Sequence, residues 1–399
     1  MPGMIRLLQC CALMLVLTGC AGQGTARPEP RTSPPAPAGP APQEAVSPPA
    51  VQAGRSDPSP GNFTLADGRL RPDIQDWAQE VSSTRNIPQA EVERLLHQAR
   101  YDAEVARLMT PSATRIRRSW VTYRKRFVEP VRIKAGTAFW NEHADALSRV
   151  EAESGVPAAI IVAIIGVETL YGRYTGSFRV LDALATLGFR HPDGGRPERS
   201  ALFRNQLADL FQLHDQEWLD ATEVTGSFAG AMGLPQFMPG SLLRYAADGD
   251  GDGRITLDTS VDDAIASIAR FLLLHGWVPG LPVFAPVRLP ADAAPLVTGD
   301  INPSLKWATL VRHGSQALGS EGGDRRNPWQ DHLLGVVDLV DEPRQTVEYR
   351  LGTPNFFAIT HYNRSYFYAA AVAELAQALI AQRPPFDSPG AQALADMPQ

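Results

Sequence analysis

Two groups of residues in this 399-residue chain have the types and spacing that chemistry requires. The first is a single carboxylate. In "SGVPAAIIVAIIGVETLYG" the eleven residues from Pro157 to Val167 carry no charge, and Glu168 follows them directly. If 157–168 is helical, Ile161, Ile164, Ile165 and Glu168 share one face, by the three- and four-residue spacing. A carboxylate on an apolar stripe loses hydration, which raises its pKa and suits it to act as a general acid near neutrality. The competing reading is a buried glutamate paired with Arg173 or Arg179 for structure alone. The second group is "DGDGDGRITLDTSVDD", with Asp248, Asp250 and Asp252 at positions 1, 3 and 5 and Gly253 at position 6. That is the first half of an EF-hand loop, in which hard oxygen ligands crowd a cation and glycine makes the turn. Arg254 would add its backbone carbonyl. Position 12 is Thr259, where an EF-hand has a bidentate Glu. Calcium is favoured over magnesium, because a flexible protein-oxygen cage suits the larger ion; a metal-free acidic turn is the alternative.

Elements must exist to position these groups. "PQAEVERLLHQARYDAEVARLM" (88–109) places Val92, Leu95, Leu96, Ala99, Val105, Leu108 and Met109 at helical spacing. The helix ending at Glu168 has Ser154 as a possible cap and Pro157 in its first turn. Segments 200–219, 261–277 and 366–382 read as further helices. Between about 281 and 350, "LPVFAPVRL", "HLLGVVDLV" and "TVEYRL" alternate or run apolar with β-branched residues between Gly, Pro and Asp breaks, which predicts a small β-rich lobe. The expectation is a mainly α (α+β) chain ordered from near Phe63 to 383, with a frayed tail at 384–399.

The N-terminus reads differently. Arg6 precedes the apolar "LLQCCALMLVLTG", too short and wrongly flanked for an ordinary membrane span. It ends in Leu17-Thr18-Gly19-Cys20, which resembles a bacterial lipobox. That implies a signal peptide over 1–19, lipidation at Cys20 and, with Ala21 following, the outer membrane; a plain signal peptide is the alternative. Residues 21–60 hold eleven prolines and no Leu, Ile, Met, Phe, Tyr or Trp, so 20–62 is expected to be a semi-extended tether. Cys10 and Cys11 fall within the signal, so the mature chain would retain Cys20 alone. Disulfides, thiol catalysis and Cys-zinc sites are thereby excluded.

Four stretches occur in order: "GVETLYGRYTG", "VLDALATLGF", "GSFAGAMGLPQFMPGSLLRYAADGDGDGRITL" and "GTPNFFAITHYNRSYFYA". Together they resemble the membrane-bound lytic murein transglycosylase B family over roughly residues 65–380. The resemblance implies a lysozyme-like helical core with an additional helical region, acting on peptidoglycan glycan strands. In that reading Glu168 is the one catalytic acid and base. It protonates the oxygen bridging N-acetylmuramic acid to N-acetylglucosamine, then takes the proton of the muramoyl 6-hydroxyl as that oxygen attacks the anomeric carbon. A 1,6-anhydro end results and no water is consumed. By the same resemblance Gln236 contacts sugar substituents and Ser227 lies near the glutamate. Tyr123, Tyr362, Asn363 and Tyr368 line the substrate, Arg199 meets its carboxylates, and Asp263 (less well Asp262) closes a longer metal loop, 248–263.

Two departures concern the site's rim: Glu198-Arg199 stands where the family commonly has paired arginines, and "HPDGGRP" carries extra residues. Without the resemblance the glycine-rich segment would read as a tight loop, with Met232, Phe237 and Met238 in the core. Asp182 reads as a helix-start or structural residue, and Glu223 has no assigned place. Two rival functions remain, a hydrolytic lysozyme-type muramidase and a non-catalytic peptidoglycan-binding lipoprotein. Eight basic residues between Arg115 and Lys134, with Glu129 the sole acid, read as a solvated helix face rather than a nucleic-acid surface. The net charge of −6 also argues against nucleic acid.

Overall fold

Residues 63–112, 114–318 and 327–382 are described in the computed structural model; the signal segment, Cys20, the tether and the tail from 384 lie outside them. From the N-terminus run α1 (Pro72–Arg85), α2 (Gln89–Gln98), α3 (Ala103–Met109), α4 (Trp120–Phe127), α5 (Pro130–Glu142) and α6 (Ala144–Ser154). Then come α7 (Ala158–Thr169), β1 (Phe178–Arg179), α8 (Val180–Phe189), α9 (Pro197–Asp215), β2 (Thr225–Gly226), α10 (Pro239–Tyr245) and α11 (Val261–Leu274). The C-terminal part holds β3 (Val287–Arg288), α12 (Trp307–Arg312), β4 (Gln316–Ala317), β5 (Gly335–Asp341), β6 (Thr346–Gly352), α13 (Pro354–Tyr362) and α14 (Tyr366–Ile380). The chain is mainly helical, as its periodicity predicts.

α7 is the axis of the main core. Every residue from Ala158 to Val167 is buried, which marks a helix apolar on all sides as a core helix. α14, α5 and α6 pack around it, and α11 crosses nearby. The start of α7 differs from expectation. Gly155, left-handed at φ +66°, terminates α6. Ser154 turns its hydroxyl back to Val150 O (2.5 Å) rather than capping α7, and Pro157, which has no N–H to satisfy, takes the N-cap. The single helix expected over 88–109 is likewise two. Asp102 Oδ1 accepts from Glu104 N (2.9 Å) and Val105 N (3.0 Å), starting α3 afresh.

The segment 281–350 has its own smaller core, including Leu281, Leu296, Leu310, Trp329 and Leu334. It is more irregular than the expected β-rich lobe. β3–β4 pair over only two residues each, and β5–β6 is the one extended antiparallel pair there among the described residues. Pro282, Pro286 and Pro290 explain this, since proline cannot donate to a ladder. β5 joins the two cores: Val336 packs into the smaller one, Val337 and Leu339 into the main one.

Candidate active site

Glu168 occupies the last turn of α7. Ile161, Ile164 and Ile165 on its face are fully buried, while Glu168 itself keeps an exposed edge. Immediately beyond, three successive residues are left-handed: Leu170 (φ +50°), Tyr171 (φ +58°) and Gly172 (φ +82°). Such a conformation costs a non-glycine residue on the order of 1 kcal/mol or more, and persists only where surroundings impose it. Thr169 Oγ1 accepts from Gly172 N (3.0 Å), and its hydroxyl faces Ile165 O (3.2 Å) and Leu234 O (3.3 Å). The Tyr171 ring lies over two helix glycines. A Cβ at Gly136 or Gly166 would stand 2.2 or 2.4 Å from the phenol oxygen, so a side chain at either place would force the ring to move.

Loss of water pushes the Glu168 pKa up from the ordinary 4.5 to about 7. A hydrogen bond from Tyr368 Oη to Glu168 Oε1 (2.6 Å) acts in the opposite sense, favouring the charged form. No cation offsets the burial: Arg179 pairs with Asp182 (2.6 Å), and no ion pair reaches Glu168 among the described residues. The structural ion-pair reading is therefore not what the chain does. Asp182 is the structural residue expected, on the first turn of α8, accepting also from Arg100 N (2.7 Å). Glu223 is exposed and, among the described residues, pairs with nothing at the site.

Tyrosines surround the carboxylate. Tyr368 is fully buried on α14. The Tyr362 ring stacks on it, centroids 6.3 Å apart and 11° between planes, and Tyr362 Oη donates to Pro235 O (2.6 Å). Burial first, and the Glu168 charge second, hold both phenols well above their usual pKa, so they remain donors. Tyr123 on α4 packs against Phe127 and Phe367 and bears on the Tyr368 phenol. Asn363 is buried at the C-terminus of α13, next to Tyr362.

Gln236, left-handed at φ +52°, closes a turn in which Met232 and Phe237 exchange both backbone bonds. Its Nε2 donates to Gly233 O (2.9 Å) and Thr175 O (3.1 Å). Fixing the amide through its nitrogen leaves the oxygen as an acceptor for a ligand N–H. Met232 and Phe237 are core residues and Met238 packs at the core's edge, as expected. Ser227 and Arg199 each have a partner of their own. The Ser227 hydroxyl accepts from Ala231 N (3.0 Å) inside its own loop and makes no bond to Glu168. Arg199 is buried at the start of α9, where Nη1 meets Asp193 Oδ2 (3.3 Å).

Asp248, Asp250 and Asp252 each contribute one oxygen to a group within 4.8 Å of one another. Gly253 N and Gly251 N donate to Asp248 (2.9 and 2.7 Å), holding its carboxyl below the usual range. Three exposed hard oxygens around a left-handed Gly253 (φ +84°) fit a hard divalent cation. Asp263 does not join them. It is 1% exposed, and its oxygens accept from Gly249 N (2.8 Å) and Thr256 N (2.7 Å), so it ties the loop's ends to α11 through amides. Asp262 pairs with Arg149 (2.9 Å). The expected fourth carboxylate thus braces the loop instead of completing the group.

Basic residues of the 115–134 stretch have particular partners. Arg115 meets Glu342, Arg124 meets Glu374, and Arg132 is buried among carbonyls. Glu129 caps α5 through Val131 N and Arg132 N. Sequence reasoning missed Arg132, Thr169 and Tyr171; the available signal was Gly166, an isolated glycine inside a strongly apolar helix, which points to close packing.

A mainly helical fold holding one desolvated glutamate among tyrosines places the molecule in the lysozyme-like class. The model of the transglycosylase SLT domain family matches residues 69–377. The membrane-bound lytic murein transglycosylase B of Escherichia coli K12 is 35% identical over 320 residues, covering 78% of this chain and 84% of that protein. Among solved structures, soluble lytic transglycosylase SltB1 of Pseudomonas aeruginosa matches at 38% identity and TM-score 0.68, over 78% of this chain and 99% of that one. The Escherichia coli lytic transglycosylase Slt35 in complex with calcium matches at 34% and 0.66, over 80% and 96%. The chain belongs to the transglycosylase SLT domain family.

Proposed function

We propose that this chain is a peptidoglycan lytic transglycosylase, cleaving the MurNAc–GlcNAc β-1,4 bond to leave 1,6-anhydro-MurNAc ends. One observation carries the reading: Glu168 is desolvated with no charge of either sign acting on it, and its pKa stands at about 7. A retaining or inverting hydrolase normally brings two carboxylates to the bond. A lone carboxylate that is protonated half the time near neutrality suits a route in which one group gives a proton and regains it. Glu168 protonates the bridging oxygen, then accepts the proton of the muramoyl 6-hydroxyl, and atoms balance without water. Tyr368 orients the acid. Tyr123, Tyr362 and Asn363 line the sugar, and Gln236 offers its amide oxygen to an N-acetyl N–H. Ser227 stands near the acid, and Arg199, held by Asp193 (3.3 Å), meets substrate carboxylates. Mass spectrometry of digested sacculi tests the reading: the products are one water lighter than hydrolysed muropeptides. Hydrolysed ends alone would make the protein a muramidase.

The same proposal places the domain, 63–383, on the tether 20–62 and a lipid at Cys20, on the periplasmic face of the outer membrane. Labelled palmitate is incorporated by the parent and not by Cys20→Ala. The aspartate group holds calcium, with Asp248, Asp250, Asp252 and the Arg254 carbonyl as ligands, in a structural role linking α10 to α11. Calcium at a hundredfold excess over its Kd then stabilises chelator-treated protein by about 2.7 kcal/mol, roughly 5 °C in Tm for a domain of this size. Asp250→Asn abolishes most of that shift; an unchanged Tm in the parent would remove the metal from the account.

A further inference from the structure

We infer that Arg132 is a positioning residue for Glu168, a clamp between the helix end that carries the acid and the helix end that follows Tyr123. The inference rests on the role of Glu168 proposed above. Arg132 lies in the first turn of α5, and its side chain is 3% exposed. Nε donates to Gly166 O (2.9 Å), two residues before Glu168. Nη1 donates to Arg126 O (2.6 Å) and, at longer range, Phe127 O (3.4 Å), the last carbonyls of α4. The nearest carboxylate on its head is Glu129, at 3.7 Å. A buried guanidinium is therefore met chiefly by the carbonyl ends of two helices, where the partial charge is negative.

That arrangement answers a specific need. The three left-handed residues after Thr169 end α7 abruptly, and Leu170 N reaches Gly166 O at 3.2 Å. Gly166 O has a second lone pair, which Arg132 fills. The Tyr171 ring covers the same glycine and lies against Gly136 as well. The turn bearing Glu168 is thus fixed from outside by one planar fork, and the same fork fixes α4, on which Tyr123 stands. Lysine supplies a single point charge and cannot hold both carbonyl sets at these angles.

The test is Arg132→Lys, compared with parent in melting, kcat, KM and the pH profile of anhydro-muropeptide release. Displacement of an acid by a fraction of an ångström lowers kcat by about tenfold or more, with KM within about twofold. The alkaline limb of kcat/KM, which reports loss of the acid's proton, also moves upward. The reason is that the Tyr368 bond favouring ionised Glu168 is loosened. Trp329→Phe, in the smaller core, serves as a variant destabilised elsewhere and leaves the limb in place. Arg132→Gln serves if the lysine variant does not fold. A folded variant with kcat within twofold of parent, or with an unmoved limb, overturns the inference. So does failure of both variants to fold, which would make Arg132 a residue of general stability. Glu168→Gln, run alongside, separates the two claims: if it still cuts, the underlying reading falls and this one with it. If only the Arg132 result fails, the role of Glu168 stands.

Discussion

Glu168→Gln is expected to cut glycan strands about a thousandfold more slowly or worse, and to be more stable than the parent above neutrality. The first effect follows because glutamine neither gives nor takes a proton, while Tyr368 can still donate to its amide oxygen and hold the side chain in place. Binding of strands is retained. The second follows from linkage. The folded pKa, about 7, lies above the ordinary 4.5. The native state therefore binds more protons than the unfolded chain between those values. Stability associated with neutral Glu168 is fully present below about pH 4.5 and is lost as pH rises through 7. A displacement of that size corresponds to up to about 3 kcal/mol. Glutamine has no such loss. Its Tm advantage should open between pH 5 and 8 and close in acid. An advantage that does not vary with pH would mean that Glu168 is ionised in the folded protein throughout, and the acid role would be lost with it.

The same physics explains what could be read in the chain beforehand. An eleven-residue uncharged run is a strong statement about burial, so α7 was placed to within one residue and Glu168 on its buried face. The 1-3-5 spacing of Asp248, Asp250 and Asp252 dictates local geometry and needs no tertiary contact to be recognised. Features that depend on competition between local signals were less legible. Asp102 interrupts a good helical pattern because its side chain caps two amides at once, and periodicity does not register a cap. Asp263 was expected among metal ligands, but a buried carboxylate goes to whatever donors the fold presents, and here these are two loop amides. The tyrosines came only from family motifs, since an aromatic residue at helical spacing is read as core by default. Nothing in its own stretch marks Arg132. It stood among eight basic residues in a stretch that reads as solvated, and its burial depends on carbonyls supplied by α4 and α7.

Arginine and glutamate meet again behind the site, where α14 is held in place. Glu374, 7% exposed, accepts from Arg350 Nη2 at Oε1 (2.6 Å) and from Arg124 Nε at Oε2. Arg350 comes from β6 and also lies over Phe284 and Trp120 (5.0 and 5.9 Å to the centroids). One carboxylate thus joins α14, α4 and the β5–β6 pair, and Tyr368 stands six residues before it on the same helix. Replacing both sides of such an ionic cluster with apolar groups can be nearly neutral, whereas removing one partner strands the other. Glu374→Ala is therefore expected to cost about 3 kcal/mol, the low end of the range for a broken buried pair. Arg350 keeps Glu348 (2.5 Å) and Arg124 is half-exposed, so each arginine is only partly stranded. Cleavage should fall several-fold, since α14 and α4 carry Tyr368 and Tyr123. Denaturant unfolding of Glu374→Ala, Arg350→Met and the double variant decides the matter: the two losses should fail to add by 1 kcal/mol or more. Additive losses, or a Glu374→Ala cost below about 1 kcal/mol, would show that apolar packing of α14 on α7 holds Tyr368 against the acid without this carboxylate.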